Sequence, residues 1–495
     1  MSEFNQKPKS RSIPSHNQQL GKAVKWLDFH VLSSESRHPL ITVLYMVFAL
    51  IMLLHHVYVT LFFPASGYQF FGTSWIIFAV LGILLGKMWK DTTARILFLI
   101  WLGCYLRLRI FNPELLSSGI PVLTSGFFAA GGVYSVSRVL KKKQQKLFLQ
   151  VFCLLWTLFA LVLSVLGVYS AYTGTAVPNL STGVINVFGG RLYLYYYCVT
   201  SGTLVSVSAV IALWGLTLFR PHWMKAFLII SSFIMIVANA LTGTRTGFII
   251  SSSGIAALLC LSAYRHFLPS FSQKTSMRKI ILALSVFAGF VLITGVLAYS
   301  QTFLNDGFTA IRNRGGLLIG QAYAEGAAPS LPGINNRDFS QINDLNGMTS
   351  GRIAIWQAVI ADITSSNTVL FLGRSLVNPM GQINTPAWHS HNLLLQITLE
   401  CGLPGLLAAL LVLGLVIRKS HDTLHCASAP AWQWMSIGPL LALFIGEMAE
   451  CTTTWNYQLP QMTILYFFCG LVVSFGSLSH ALMKESPLDS TQQSK

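Results

Sequence analysis

The chain has 495 residues, of which 53% are hydrophobic and only 10% charged, and its mean hydropathy is +0.59. That balance excludes an ordinary soluble domain. The net charge of +17 falls in blocks between apolar runs, which excludes a nucleic-acid footprint and reads as a membrane-topology signal.

Residues 1–38 are polar and carry no apolar core of a cleavable signal peptide, so they are expected to form an N-terminal tail. Apolar runs long enough to cross a hydrocarbon core, about 17–25 residues, then recur. They lie near Leu40–Phe62, Gly72–Met88, Thr92–Ile110, Gly119–Val136, Leu147–Tyr169, Tyr196–Phe219, Ala226–Leu241, Gly247–Tyr264 and Ile280–Tyr299, within residues 39–300. A polar segment, 301–391, interrupts the series. Three more spans, Leu393–Ile417, Trp432–Glu450 and Met462–Leu478, fill 392–479, and 480–495 form a second tail. The expected fold is an all-α polytopic membrane protein of about twelve transmembrane helices, with one large extracytoplasmic loop between the ninth and tenth.

Six basic residues before the first span, from Lys7 to Arg37, place the N-terminus in the cytoplasm, and every second connection is then basic. Examples are Arg138 to Lys146, Arg265 to Lys279, and Arg418 with Lys419; the C-terminal tail falls on the same side. On this map the outer side holds arginine but no lysine: Arg107, Arg109, Arg191, Arg245, Arg312, Arg314, Arg337, Arg352 and Arg374. Guanidinium forks bind phosphate in bidentate fashion, although a loop arginine can equally sit at the interface or pair with Asp306, Asp338 or Asp344. Arg191, in Gly189-Gly-Arg-Leu-Tyr, and Arg245, in Leu241-Thr-Gly-Thr-Arg-Thr-Gly, are different because they border hydrocarbon. A charge at a helix centre costs roughly 2.5–3.5 kcal/mol on insertion scales, so such residues have a partner or a task.

Within the loop, Ser350 can cap a helix whose residues Ile353, Trp356, Ile360 and Ile363 make one apolar stripe, with Arg352 in the first turn. Gln321 to Asn346 reads as a flexible lid. The eight cysteines show no paired metal spacing and lie mostly in or beside apolar runs, so they are expected to be packing residues. The most chemically loaded stretch follows: His389-Ser-His391-Asn392-Leu-Leu-Leu-Gln-Ile-Thr-Leu-Glu400-Cys-Gly402-Leu-Pro-Gly405. It sets two imidazoles, an amide and a carboxylate where a watery loop meets an apolar helix. Imidazole exchanges protons near neutral pH, so this is a natural place for chemistry on a substrate that is half lipid and half polar. A histidine at a helix start can also be purely structural. Two histidines at i and i+2 point different ways on a helix, so a shared metal ion is not expected.

His391-Asn392 followed after nine residues by Gly402 resembles the signature of the O-antigen ligase and polymerase superfamily of membrane glycosyltransferases. The blocks Ser350-Gly-Arg-Ile-Ala-Ile-Trp356, Leu241-Thr-Gly-Thr-Arg245-Thr-Gly and Gly190-Arg191-Leu192 are similar to other parts of that family; the run after Leu192, Tyr193-Leu-Tyr-Tyr-Tyr, departs from it. The resemblance extends over roughly Gly190 to Gly470. It implies a GT-C-like fold and a glycan donor carried on undecaprenyl pyrophosphate. It also implies inverting, metal-independent transfer at the outer face of a bacterial cytoplasmic membrane, with no cofactor. The outer acids Glu114, Asp306, Glu325, Asp338, Asp344 and Asp362 are scattered and form no DxD or ExD pair, which independently speaks against a hard-ion site.

In this reading His391 is the general base that activates an acceptor hydroxyl, and Arg245 and Arg352 stabilise the pyrophosphate leaving group. Arg191, His389, Asn392 and Glu400 are substrate-binding candidates, with Asn392 or Glu400 orienting His391. Membrane lipids surround the protein, the acceptor is a glycan or a lipid-linked glycan, and no nucleic acid is involved. The residues leave open polymerase, ligase and protein O-oligosaccharyltransferase, with polymerase of a surface polysaccharide preferred. A secondary transporter or flippase is the alternative from another class, which would place its ionisable residues nearer the bilayer midplane.

Overall fold

A computed structural model describes chiefly residues 82–111, 130–174, 184–194, 198–272, 284–300, 352–374, 389–450 and 460–485. The expected first span, most of the second, the lid, Ser350, Arg312, Arg314 and Arg337 lie outside the described residues.

The described chain is mostly helical. In order it forms α1 (Thr92–Phe111), α2 (Lys142–Thr173), α3 (Cys198–Gly215), α4 (His222–Thr242), α5 (Arg245–Ser272), α6 (Leu284–Leu297), α7 (Arg352–Ile363), α8 (Asn367–Leu372), α9 (Leu393–His425), α10 (Ile437–Ala449) and α11 (Pro460–Glu485). Among the described residues, four stretches are long and apolar enough to cross a membrane: Lys142–Thr173, His222–Thr242, Arg245–His266 and Leu393–His425. These coincide with four of the expected spans. Helix α10 begins later than expected and ends at Ala449, which leaves Glu450 as its C-cap, outside the helix.

Helix α3 is apolar or small on every side, with Ser201, Val205, Ser208, Ala209 and Ala212 all fully buried, the pattern of a helix surrounded by others. It packs on α2, α4, α5 and α10. The core is finished by aromatic residues: Phe152 meets Phe467 at 4.3 Å between ring centroids, and Trp214 meets Phe468 edge-on at 5.4 Å. Two of the buried indoles have a partner for their N–H, Trp156 on Ser208 Oγ at 2.9 Å and Trp214 on the Trp432 carbonyl at 3.0 Å, as burial of a polar group favours. Small residues bring α5 and α10 close: a Cβ on Gly446 would lie 2.5 Å from the Ile250 side chain.

The all-α expectation needs one correction. Between α2 and α3 lies a three-stranded antiparallel sheet, β1 (Val177–Pro178), β2 (Val184–Phe188) and β3 (Arg191–Tyr193). Alternation explains β2, since Ile185 and Val187 are buried and the strand packs on α2. Phe188 pairs with Arg191, so Arg191 opens a strand. Strands of two to five residues leave too short a period to be read beside long apolar helices.

The loop helix α7 exists, but its buried face is rotated from the expected stripe. Val359 and Ile363 are buried against Leu399, with Ile355 beside them, whereas Ile360 is 49% exposed. Both sets have helical spacing; packing on α9 chooses between them.

Candidate active site

Helix α9 is two helices joined at Gly402, whose φ of 64° and ψ of −169° break it, two residues before Pro404. The left-handed φ suits glycine, and close approach requires it too, because a Cβ there would lie 2.5 Å from the Phe371 backbone. A break of this kind orphans carbonyls. Pro404 has no N–H for the Glu400 carbonyl, and Arg107 Nη2 donates to it instead at 3.3 Å. The Leu399 carbonyl accepts from the Arg374 N–H at 2.7 Å. Arg374 then closes a two-bond fork on Asp362, at 2.9 and 2.5 Å, a partner different from the loop acids expected. The short upper half of α9 is thus fastened to α1 and to the α7–α8 segment.

That half-helix carries the histidine loop. Asn392 is its N-cap, with Oδ1 accepting from the Leu395 N–H at 3.1 Å while Nδ2 donates to the Met448 carbonyl at 3.3 Å. Ser390, fully buried between the histidines, is held at three atoms. Its N–H donates to Gln396 Oε1 at 2.8 Å, its carbonyl accepts from Trp356 Nε1 at 2.9 Å, and its Oγ donates to the Asn392 carbonyl at 2.8 Å. Gln396 Nε2 in turn donates to Glu400 Oε1 at 2.7 Å. Glu400 is fully buried, so its side chain reaches the loop through Gln396.

His391 has a left-handed φ of 54°, uncommon for a side chain of this size. Residues 389–391 precede the helix, so the helical argument that separated the two imidazoles does not apply. Their rings converge, 4.2 Å between centroids, on a residue that the sequence marks only as the end of an apolar span. Glu450 accepts from His391 Nδ1 at 2.9 Å through Oε2 and from His389 Nε2 at 3.3 Å through Oε1. Arg352 Nη2 lies 2.6 Å from the same Oε2, and also 3.5 Å from Thr246 Oγ1 in the first turn of α5. Burial would push the Glu450 carboxyl up; the hydrogen bonds from His389 and His391 oppose it, and the carboxyl is held well below the usual carboxylate range.

An ionised carboxylate only accepts hydrogen bonds, so in the neutral ring Nδ1 of His391 carries the proton and Nε2 is the basic nitrogen. His389 is fixed in the opposite tautomer: its Nδ1 accepts from the His391 N–H at 3.2 Å and its Nε2 faces Glu450. The His391 side chain is 23% exposed, so its ring is open to a reactant.

Residues 230–410 match the O-antigen ligase family. This part of the chain is similar to O-antigen ligases. It begins in α4 and ends in α9, so it contains Arg245, Arg352, His389, His391, Asn392 and Glu400, and leaves Arg191 and Glu450 outside. No curated protein matches the chain. The match and the four long apolar helices together indicate an integral membrane protein with an O-antigen-ligase-like part.

The remaining candidates, Arg245 and Arg191, meet at the α4–α5 junction. Arg245 is the first residue of α5, after the left-handed Gly243, and Thr246 beside it touches Arg352. Arg191 donates from Nε to the Thr242 carbonyl at 3.0 Å and from Nη2 to the Gly243 carbonyl at 3.2 Å. Two of its N–H groups therefore brace this junction. Glu450 had one signal in the sequence: an acid at the edge of an apolar span is a functional candidate by its cost alone.

Proposed function

We propose that the protein transfers a glycan from an undecaprenyl-pyrophosphate donor to a sugar hydroxyl, polymerising or ligating surface polysaccharide by inverting, metal-independent chemistry. The observation that carries this reading is the His391–Glu450 pair, 2.9 Å between Nδ1 and Oε2, which in the neutral ring leaves Nε2 as the basic nitrogen. The acceptor hydroxyl attacks the anomeric carbon as His391 Nε2 takes its proton. The bond from that carbon to the pyrophosphate oxygen breaks, and the polyprenyl pyrophosphate leaves with the electron pair. Glu450 stabilises the imidazolium that forms, much as a buried carboxylate does for other histidine bases. General-base help is typically worth 10²–10⁴-fold, on the order of 3–5 kcal/mol. Arg245 and Arg352 supply fixed positive charge where negative charge grows.

An apolar cavity of about 590 Å³ supports a lipid-borne donor. It starts at Leu393 and Leu394, two residues beyond His391, and follows α9 past Ile397 and Val412 to Leu424. A polyprenyl tail lying there would hold its pyrophosphate near the histidine loop. The lysine asymmetry supports about twelve spans, both termini in the cytoplasm, and residues 301–391 on the outer face of the inner membrane.

Purified protein given lipid-linked donor and acceptor should transfer glycan, and His391→Ala should abolish transfer at normal membrane abundance. Near-wild-type product from His391→Ala would overturn the reading. In a deletion strain, accumulated single lipid-linked repeats would assign polymerisation, and accumulated full chains would assign ligation.

A further inference from the structure

His389, His391 and Glu450 present one ligand atom each within 4.8 Å of one another. Nδ1 of His391 lies 2.9 Å from one carboxylate oxygen and Nε2 of His389 lies 3.3 Å from the other. A tetrahedral zinc ion holds nitrogen and oxygen ligands at about 2.0–2.2 Å, which sets neighbouring ligand atoms roughly 3.3 Å apart. The spacing of these hydrogen-bonded groups is therefore close to that of a three-ligand zinc site. Two imidazoles and one carboxylate suit a borderline ion such as Zn²⁺ or Co²⁺ and not Mg²⁺ or Ca²⁺, which take oxygen ligands. The His389 and His391 side chains are 14% and 23% exposed, which leaves an approach for the ion.

We infer that His389, His391 and Glu450 form a binding site for a borderline divalent cation, in competition with Arg352. The competition follows from charge and space. Arg352 Nη2 lies 2.6 Å from the same Glu450 oxygen that His391 uses, and a dication and a guanidinium repel each other there. The proton count adds a second exclusion. A cation on Nδ1 of neutral His391 moves that ring's proton to Nε2, the atom assigned above to take the acceptor's proton. His389 likewise shifts its proton to Nδ1 and gives up the hydrogen bond from the His391 N–H. Both rings remain neutral, so atoms and charge balance without release of a proton. Occupied by a cation, the site has no base. The consequence for transfer rests on the reading of His391 as base; the site itself does not.

The test uses the purified full-length protein in detergent and Co²⁺, whose visible absorption reports tetrahedral coordination. One Co²⁺ per chain should bind, be displaced by an equivalent of Zn²⁺, and be untouched by excess Mg²⁺. Glu450→Gln and His389→Gln should weaken binding at least tenfold. Arg352→Ala should tighten it several-fold, a gain that misfolding cannot produce. Absence of saturable binding would overturn the site, as would equal affinity in both glutamine variants. Unchanged or weaker binding in Arg352→Ala would overturn the competition. Zn²⁺ should also stop glycan transfer, with recovery on adding EDTA. A cation that binds as described yet leaves transfer intact would uphold the site and overturn His391 as the base.

Discussion

His391 Nδ1 and Glu450 Oε2 meet at 2.9 Å although 59 positions separate them in the chain. A carboxylate so placed fixes both the tautomer and the orientation of the imidazole. Glu450→Gln keeps the shape and removes the charge, and its amide can present an N–H to Nδ1, which favours the wrong tautomer. Transfer should fall by roughly 10²–10⁴-fold, the whole range of general-base assistance, in kcat and not in KM. A loss confined to KM would assign Glu450 to binding.

The same residue sets an acid limit. Its folded carboxyl lies below the ordinary value, so it contributes stability that is present above the ordinary carboxylate value of about 4.3 and is lost as pH falls through the folded value. Wild type should melt above Glu450→Gln at neutral pH, and the gap should narrow on acidification below about pH 4. Melting curves in detergent at a series of pH values check the sign. A gap that widens in acid would contradict it.

Arg245 and Arg352 should respond differently to lysine. Arg352 touches Glu450 through one nitrogen, a contact an ammonium can replace, so Arg352→Lys should retain most activity. Arg245 is assigned to a diphosphate, where a point charge lacks the fork, and Arg245→Lys should recover little. Transfer assays at saturating and limiting donor separate the two. Full activity of Arg245→Ala would remove it from the mechanism.

Gln396 ties the Ser390 N–H to Glu400. Gln396→Ala would leave two buried polar groups without this link, at about 1–3 kcal/mol each before relaxation. Both melting temperature and kcat should fall, while Gln396→Glu, which keeps the acceptor oxygen for Ser390, should recover part of the kcat. Equal kcat in wild type and Gln396→Ala would mean the histidine loop is held without it.

Topology has a direct readout. A periplasm-active reporter fused near Ser330 should be active and one near Lys274 silent. The opposite pattern would place the histidines on the cytoplasmic side.

Much of the frame was legible because it is local. Helices α2, α4, α5 and α9 announce themselves by length and hydropathy, and the His391-to-Gly402 spacing lies within one helix and its cap. Arg352 was legible as a first-turn residue of α7, though not its partner. Glu450 was not, because nothing near it in sequence says that α10 ends beside the histidine loop. The convergence of the imidazoles was hidden for a related reason. Helical geometry separates i and i+2, and only the cap at Asn392 with the left-handed turn at His391 cancels that rule. The short sheet escaped because Ile185 and Val187 resemble any apolar pair until α2 covers them.

The break at Gly402 has a mechanical meaning. The half of α9 above it hangs from Arg107 on one side and from the Arg374 main chain on the other, while the half below runs on through Val416 to His425. The upper piece therefore takes its direction from α1 and the segment after α8, and the lower piece takes its own from α11. The orientation of the histidine loop is thus set by these ties and not by the direction of the long span below the glycine.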